Sequence, residues 1–309
     1  MPEAVRPQLS LRFEWRLARR RPAIEVVRHT LRPGGGLATL DALVATPPEP
    51  KGVLVYFPGF NTPLGPWETA KCQYLADATS MHVVLSEIPG MSRYGHPIPK
   101  AVRSDMLRRR PGPWAELTLA YIAAALEAGG VAETEHMQAL GYSTGCSLAA
   151  AALPALAGWG PIEGLNLVEP VAISRRNLAS LHAHNLADFG RMPVALATNL
   201  GHDWVMSAYR GQWREPNVKY SASDLLAIAT VLASEELGRR MDEVELARCA
   251  LARGSRSSLC RRRDFEAVDA SLAAHGVPGP TITVDGLGHQ LWHSFPALTQ
   301  LIDAMLGEG

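Results

Sequence analysis

Short apolar runs that alternate with helical segments constrain this chain more than any other feature of its sequence. Val53 to Phe57 is a run with no polar face that ends at Pro58 and Gly59, which is typical of a strand buried on both sides. Residues 67–79 follow with helical spacing, and residues 81–85 form another apolar run. Since strands joined through helices run parallel, the sequence predicts an α/β fold with a mostly parallel central sheet and helices on both faces.

The same alternation continues beyond a Pro-rich stretch, residues 95–113, which we expect to be a long loop. Two extended segments, residues 23–30 and 37–46, precede the first buried run. The later strands are predicted at residues 136–140, 164–168, 247–252 and 281–284. The later helices are predicted at residues 114–128, 147–157, 264–274 and 295–306.

Residues 170–245 interrupt this alternation. Residues 223–234 and 235–244 have helical spacing, although the run Pro193 to Ala197 has strand character. We interpret residues 170–245 as an inserted, mostly helical cap. Residues 1–169 and 246–309 then form the core that carries the sheet.

Composition and charge narrow the classes of function. The chain has 30 Lys and Arg residues and 30 Asp and Glu residues, so no net charge attracts nucleic acid or an anionic membrane. No run approaches the ~18 apolar residues of a membrane span, and the first 30 residues lack the apolar core of a secretory signal. The four cysteines have no close CxxC spacing for zinc or redox work. We therefore expect a cytoplasmic protein with a small-molecule substrate and without metal, cofactor, nucleic acid or membrane span; the oligomeric state is open.

A glycine-flanked serine lies where a predicted strand meets a predicted helix, in Gly141-Tyr142-Ser143-Thr144-Gly145. A serine hydroxyl is a weak nucleophile and must be lifted clear of the sheet to meet a base and a carbonyl group. A tight strand-to-helix turn does this, and flanking glycines let neighbouring backbones approach. The helix N-terminus also favours a developing oxyanion. The alternative is a turn whose serine only caps the helix, but the strand and helix context favours Ser143 as a nucleophile.

One of the ten histidines stands in a matching position. Residues 284–288 end a predicted strand and lead into a loop, and His289 follows them. A neutral imidazole can accept the serine proton and return it to the leaving group, which makes His289 the predicted general base. His293 is the second choice, and a purely structural histidine is the alternative.

With these residues in place, the sequence resembles the α/β-hydrolase superfamily from about residue 37 to the C-terminus. The segments that carry the resemblance are Tyr56 to Phe60 at a strand end, the turn at Ser143, and Gly288-His289 after the last strand. The order of serine before histidine is also that of the family. In many members a histidine stands where this chain has Pro58.

The resemblance implies an oxyanion hole formed by the backbone N–H groups of Phe60 and Thr144. Pro58 has no backbone N–H, so it only shapes the loop. Cys146 stands where family members often have glycine or another small residue, and we expect a buried thiol there. No cofactor is implied.

The position of the acidic residue departs from the usual pattern of the family. The acid usually follows the strand predicted at residues 247–252, but Ser257 occupies that position here. Some members take the acid from the end of the preceding sheet strand, where this chain has Glu169. A carboxylate at Glu169 would hold the histidine tautomer and stabilise the imidazolium. Asp264, Asp203 and Asp285 are the alternatives.

The implied function is a serine hydrolase that cleaves a carboxylic ester or thioester through an acyl-enzyme on Ser143. Ser257 at the expected acid position motivates a second class, a non-catalytic ligand-binding or interaction protein on the same scaffold. A C–C-bond hydrolase or haloperoxidase-like enzyme would use the same triad. For His182, His184 and Asp188, a solvated cap surface is favoured over a metal site.

Overall fold

The computed structural model describes residues 6–11, 21–34, 36–131, 136–212, 214–243 and 246–306. The stretches of the predicted core and cap that fall in the gaps lie outside the described residues. In the part that is described, no helix has the length and apolar character needed to cross a membrane.

One sheet of nine strands runs through the described residues, in the order β1-β9-β8-β7-β6-β4-β5-β3-β2. The strands are β1 (Gln8–Leu11), β2 (Glu25–Leu31), β3 (Leu40–Thr46), β4 (Val53–Phe57), β5 (His82–Ser86), β6 (Met137–Tyr142), β7 (Ile162–Val168), β8 (Cys249–Gly254) and β9 (Thr281–Val284). Strand β3 pairs antiparallel with β2 and β5, and the other neighbours pair parallel. The predicted mostly parallel sheet is confirmed.

Helices connect the parallel strands and follow the last of them. They are α1 (Pro66–Thr79), α2 (Lys100–Leu107), α3 (Gly112–Ala128), α4 (Thr144–Leu156), α5 (Leu178–Phe189), α6 (Met192–Ala197), α7 (Asp203–Gln212), α8 (Ala222–Leu232), α9 (Glu236–Glu243), α10 (Arg262–Ala274) and α11 (Phe295–Leu306), with a short 3₁₀ helix at His289–His293. The predicted helices at 67–79, 114–128, 147–157, 264–274 and 295–306 correspond to α1, α3, α4, α10 and α11.

The hydrophobic core lies on both faces of the sheet, as strand β4 shows. Successive side chains of a strand point to opposite faces. Val55 and Phe57 belong to one buried cluster with Trp114 of α3, whereas Leu54 and Tyr56 belong to a second cluster with helix α1. A strand buried on both faces has no polar side, which is why its sequence reads as an uninterrupted apolar run.

Two predicted segments are wrong. Residues 193–197 are not strand-like but form most of α6, with Pro193 in the first turn, where a helix tolerates proline. Val194 is 52% exposed, so the apolar run is not a buried strand. The stretch 95–113 is not all loop, because α2 occupies its middle. The prolines of that stretch flank α2 rather than interrupt it.

Strand β1 has no counterpart in the predicted elements. It pairs parallel with β9 at the edge of the sheet, and three of its four residues are exposed. Its sequence, Gln-Leu-Ser-Leu, alternates polar and apolar residues over only four positions, which is the shortest stretch that indicates a strand.

Helices α5 to α9 lie between β7 and β8, which pair directly with each other. The chain therefore leaves the sheet after Val168 and returns to the neighbouring position at Cys249. We propose that these helices are the cap predicted for residues 170–245.

Candidate active site

Ser143 stands between the last residue of β6 and the first residue of α4. Its backbone has φ 55° and ψ −114°, a conformation that residues other than glycine rarely adopt. The turn is held from both sides, because Ser143 N donates to the carbonyl of Val168 (2.9 Å) and Cys146 N donates to the carbonyl of Ser143 (3.0 Å). The strained residue at this turn is thus fixed by the sheet on one side and the helix on the other.

The glycines of the motif permit close backbone contacts. A Cβ atom at Gly141 would lie 2.6 Å from Cα of Cys146, and one at Gly145 would overlap the carbonyl of Phe57 in β4. A Cβ atom at Gly59, after β4, would lie 2.8 Å from the ring of Tyr142. Any side chain at these positions would push α4 or the β4 loop away from the serine.

His289 joins Ser143 to Glu169 in a continuous chain of hydrogen bonds. Ser143 Oγ donates to His289 Nε2 at 2.7 Å, and His289 Nδ1 donates to Glu169 Oε2 at 2.9 Å. The three side chains are buried. With its proton on Nδ1, the ring presents Nε2 as the acceptor for the serine proton. The structure therefore brings together the serine, histidine and glutamate singled out in the sequence, in an order that allows proton transfer from serine to imidazole.

Glu169 follows β7 with a φ of 56°, and its carboxylate is fully buried. Besides His289, it accepts hydrogen bonds from the backbone N–H of Gly254 and from Ser257 Oγ (2.5 Å). Burial of a carboxylate is costly unless hydrogen bonds replace the water it loses. Ser257, at the position where the family's acid is usual, thus supplies a donor to the carboxylate of the neighbouring strand.

Tyr142, the residue before the nucleophile, contacts His289 through a hydrogen bond and through its ring. Its hydroxyl donates to the carbonyl of His289 at 3.0 Å, and its ring stacks on the imidazole with 5.7 Å between centroids. Burial, together with the charge of Glu169, raises the pKa of Tyr142 well above its usual value, so the phenol keeps its proton. No sequence pattern predicts this role for Tyr142, although its place inside the motif around Ser143 is a signal.

His293, the second choice for the base, does not take that place. Its ring meets Tyr142 edge-on at 6.2 Å, while the ring that reaches Ser143 is that of His289. Burial lowers the pKa of His293 well below its usual value, and Lys71 and His289 lower it further. The imidazole of His293 is therefore neutral near pH 7.

Two of the three alternative acids, Asp264 and Asp285, have other partners. Asp264 accepts from Ser174 Oγ at 2.8 Å, and Asp285 accepts from Ser10 Oγ at 3.2 Å. Asp203 is the first residue of α7. Glu169 is the carboxylate that the structure places on His289 Nδ1.

The expectation of a solvated surface is wrong for Asp188. This carboxylate on α5 is fully buried, and it accepts from the backbone N–H groups of Ser258 (2.9 Å) and Leu259 (2.7 Å). It fastens α5 to the loop that carries Ser257. Across the described residues, no group of three or more His, Cys, Asp or Glu side chains is placed to hold a metal ion.

A cavity of about 390 Å³ opens at the serine. Ser143, Phe60 and Thr144 line it together, so both residues of the predicted oxyanion hole lie at the same cavity as the nucleophile. The remaining lining residues belong mainly to α5 and α8. The cavity is therefore bounded by the end of the sheet on one side and by the helices after β7 on the other.

Solved structures share this arrangement of sheet and helices. A thioesterase domain from the curacin biosynthetic pathway matches with a TM-score of 0.55 and 17% identity, over 90% of this chain and 98% of that one. A hyperthermophilic esterase from the archaeon Pyrobaculum calidifontis matches with a TM-score of 0.54 and 17% identity, over 91% and 85%. The chain has the α/β-hydrolase fold.

The α/β-hydrolase fold recurs in proteins with different reactions. A bromoperoxidase from Bacillus anthracis matches with a TM-score of 0.52 and 11% identity, over 86% of this chain and 95% of that one. No family model and no curated protein matches the sequence. Since one fold hosts many activities, the residues of the site, rather than the fold, determine the reaction.

Proposed function

We propose that this protein is a serine hydrolase that cleaves a carboxylic ester or thioester through an acyl-enzyme on Ser143. One observation carries the proposal: the buried hydrogen-bond chain from Ser143 through His289 to Glu169, with bonds of 2.7 and 2.9 Å. A nucleophile within reach of a base, and a base oriented by a carboxylate, is the arrangement that activates a serine for acyl transfer.

In the first step, Ser143 Oγ attacks the acyl carbon and its proton passes to Nε2 of His289. The carbonyl oxygen becomes an oxyanion, which the backbone N–H groups of Phe60 and Thr144 receive; each donor stabilises the transition state by about 3 kcal/mol. The intermediate collapses when the bond to the leaving group breaks. The departing alcohol or thiol takes the proton from His289.

In the second step, water attacks the acyl carbon and gives its proton to His289. The bond to Ser143 Oγ breaks, the serine regains its proton from the imidazolium, and the carboxylic acid leaves. Glu169 stabilises the imidazolium in both steps and keeps the ring in the productive tautomer.

A non-catalytic binding protein would be expected if Ser257, at the usual acid position, left His289 without a carboxylate. Glu169 supplies a carboxylate within hydrogen-bond distance of His289, which removes that reason. A C–C-bond hydrolase or haloperoxidase-like enzyme would use the same three side chains, and among the described residues no contact in the site favours either over ester or thioester hydrolysis.

Hydrolysis of p-nitrophenyl butyrate tests the proposal. We expect turnover by the wild type and a loss of kcat of roughly 10⁴- to 10⁶-fold for Ser143→Ala. Ser147→Ala is the matched control, since Ser147 is a buried serine one helical turn further along α4. Equal turnover by Ser143→Ala would contradict the proposal, and so would a folded wild type that hydrolyses no ester or thioester.

A further inference from the structure

The cavity at Ser143 is a cleft between helices α5 and α8, and one face of each helix lines it. From α5 it is lined by residues 178, 181, 182 and 185, and from α8 by residues 222, 225, 226, 228, 229 and 232. Steps of three and four residues place side chains on one face of a helix. Each helix therefore presents one continuous stripe to the cleft, with Ser143 where the cleft meets the sheet.

The two stripes are mainly apolar. On α8 the lining residues are alanine, leucine and isoleucine, and on α5 the polar ones are His182 and Asn185. Among the described residues that line the cleft, none is Lys, Arg, Asp or Glu. A charged group on the substrate would lose water there without meeting a Lys, Arg, Asp or Glu side chain of opposite charge, whereas a hydrocarbon would lose nothing.

Two leucines of the cleft are partly exposed to solvent. Leu225 is 38% exposed and Leu226 is 49% exposed, although both lie on a cavity whose lining is mainly apolar. Covering apolar surface is the main source of affinity for an apolar ligand. These side chains have surface left for a chain that enters the cleft beside Ser143.

We propose that the cleft between α5 and α8 binds the acyl group of the substrate, and that this group is an uncharged hydrocarbon chain of medium length. The inference rests on the proposed function, because the acyl carbonyl must lie at Ser143. A volume of about 390 Å³, at ~30 Å³ for each water-sized group, holds about a dozen such groups. Part of that room belongs to the ester group, so the best chains have about six to ten carbons.

A series of p-nitrophenyl esters from acetyl to hexadecanoyl measures this directly. We expect kcat/KM to rise by about fourfold for each added methylene, equivalent to ~0.8 kcal/mol of burial, up to about eight carbons and then to level off. An acyl chain of equal length that ends in a carboxylate should react at least a hundredfold more slowly. A preference for acetyl, or equal rates for the charged and uncharged chains, would overturn the proposal.

A pair of variants tests whether the acyl chain lies in the cleft. Ala229→Phe fills the face of α8 that lines the cleft, and we expect it to lower the octanoyl-to-acetyl ratio of kcat/KM at least tenfold. Thr230→Phe is its control, because Thr230 is the next residue of α8 and does not line the cleft. An equal fall of the ratio in both variants, or in neither, would contradict the assignment.

The second pair guards against misfolding of the Ala229 variant. Leu226→Gln alters a partly exposed side chain of the cleft and should lower the same ratio severalfold. Leu186→Gln is its control, since Leu186 is 56% exposed on α5 and does not line the cleft. If Leu226→Gln leaves the ratio at the wild-type value, the cleft does not hold the acyl chain.

Calorimetric titration with octanoate separates failure of the cleft from failure of the proposed reaction. Octanoate binding that weakens in Ala229→Phe, without turnover of any ester, would support the cleft and end the hydrolase proposal. Turnover with no dependence on chain length would support the hydrolase and end the cleft proposal. Neither binding nor turnover would end both.

Discussion

The ends of β7 and β8 lie side by side at the candidate active site, but the side chains that follow them have different roles. After β7 comes a buried carboxylate, Glu169, which hydrogen-bonds His289. Three residues after the end of β8 comes a hydroxyl, Ser257, which donates to that same carboxylate. The two ends are joined at the backbone as well, because Glu169 N donates to the carbonyl of Ala252 at 2.7 Å.

Under the proposed function, the position of the acid in space matters more than the strand that supplies it. Carboxyl ends of neighbouring parallel strands meet at one edge of the sheet, so a carboxylate from either strand can reach the same imidazole. The strand that lacks the carboxylate provides hydrogen-bond donors to it instead, through Gly254 and Ser257. Those donors also help to hold Glu169 at a positive φ, a conformation that costs of order 1–3 kcal/mol.

The largest effect should come from the carboxylate itself. We expect Glu169→Gln to lower kcat by about 10⁴-fold, because a neutral amide neither stabilises the imidazolium nor fixes the tautomer. Steady-state turnover of a p-nitrophenyl ester measures it. Asp285→Asn is the control, since Asp285 is an exposed carboxylate outside the triad. If Glu169→Gln keeps wild-type kcat, the acid is not at the end of β7.

Asp188 fixes the loop after β8 from the side of the helices. We expect Asp188→Asn to lower the free energy of unfolding by about 3 kcal/mol, because the buried carboxylate accepts two backbone N–H groups and pairs with Arg191. Arg191 is partly exposed, so most of the loss should come from the backbone donors. Urea denaturation measures it. A change below 0.5 kcal/mol, the range of a surface substitution, would show that the loop does not depend on α5.

A smaller effect is expected from the hydroxyl after β8. Ser257→Ala removes one donor to a buried carboxylate, a hydrogen bond worth about 1.5–3 kcal/mol, and should lower kcat roughly tenfold. Ser257→Thr keeps the hydroxyl and should recover most of the rate. Ser255→Ala, on the same loop but exposed, is the control. Full activity in Ser257→Ala would mean that β8 contributes nothing to the acid.

The smallest effect concerns Cys146, whose Sγ donates to the carbonyls of Gly141 (3.2 Å) and Val168 (3.3 Å). Burial raises the pKa of this thiol well above its usual value, so it stays protonated and unreactive at pH 8. Iodoacetamide at that pH should leave the activity of the native protein unchanged. Mass spectrometry should find Cys146 alkylated only after unfolding; alkylation in the native state would contradict its buried environment.

The sheet was predictable because its signals are local. Strands β4 and β5 are apolar runs, and the helices between the parallel strands have regular spacing. Strand β1 was missed because it is short and exposed, and α2 and α6 were missed because nearby prolines or an apolar run suggested other structures.

The site, like the fold, has some features that the sequence predicts and others that it does not. The motif around Ser143 and the strand end before His289 are visible in the sequence, and the resemblance to a family pointed to Glu169. The hydrogen bonds of Tyr142, Ser257 and Glu169 join residues 88 to 147 positions apart. No local pattern records such distances, so the support around the triad becomes visible only in three dimensions.

Labelling with a fluorophosphonate, which reacts with activated serines, tests the role of Ser143 most directly. We predict that one equivalent adds to the wild type and that peptide mapping places it on Ser143. Ser143→Ala should take up none, and Glu169→Gln should react far more slowly. A folded wild type that takes up no label, or a label found on another serine, would contradict an activated nucleophile at the turn between β6 and α4.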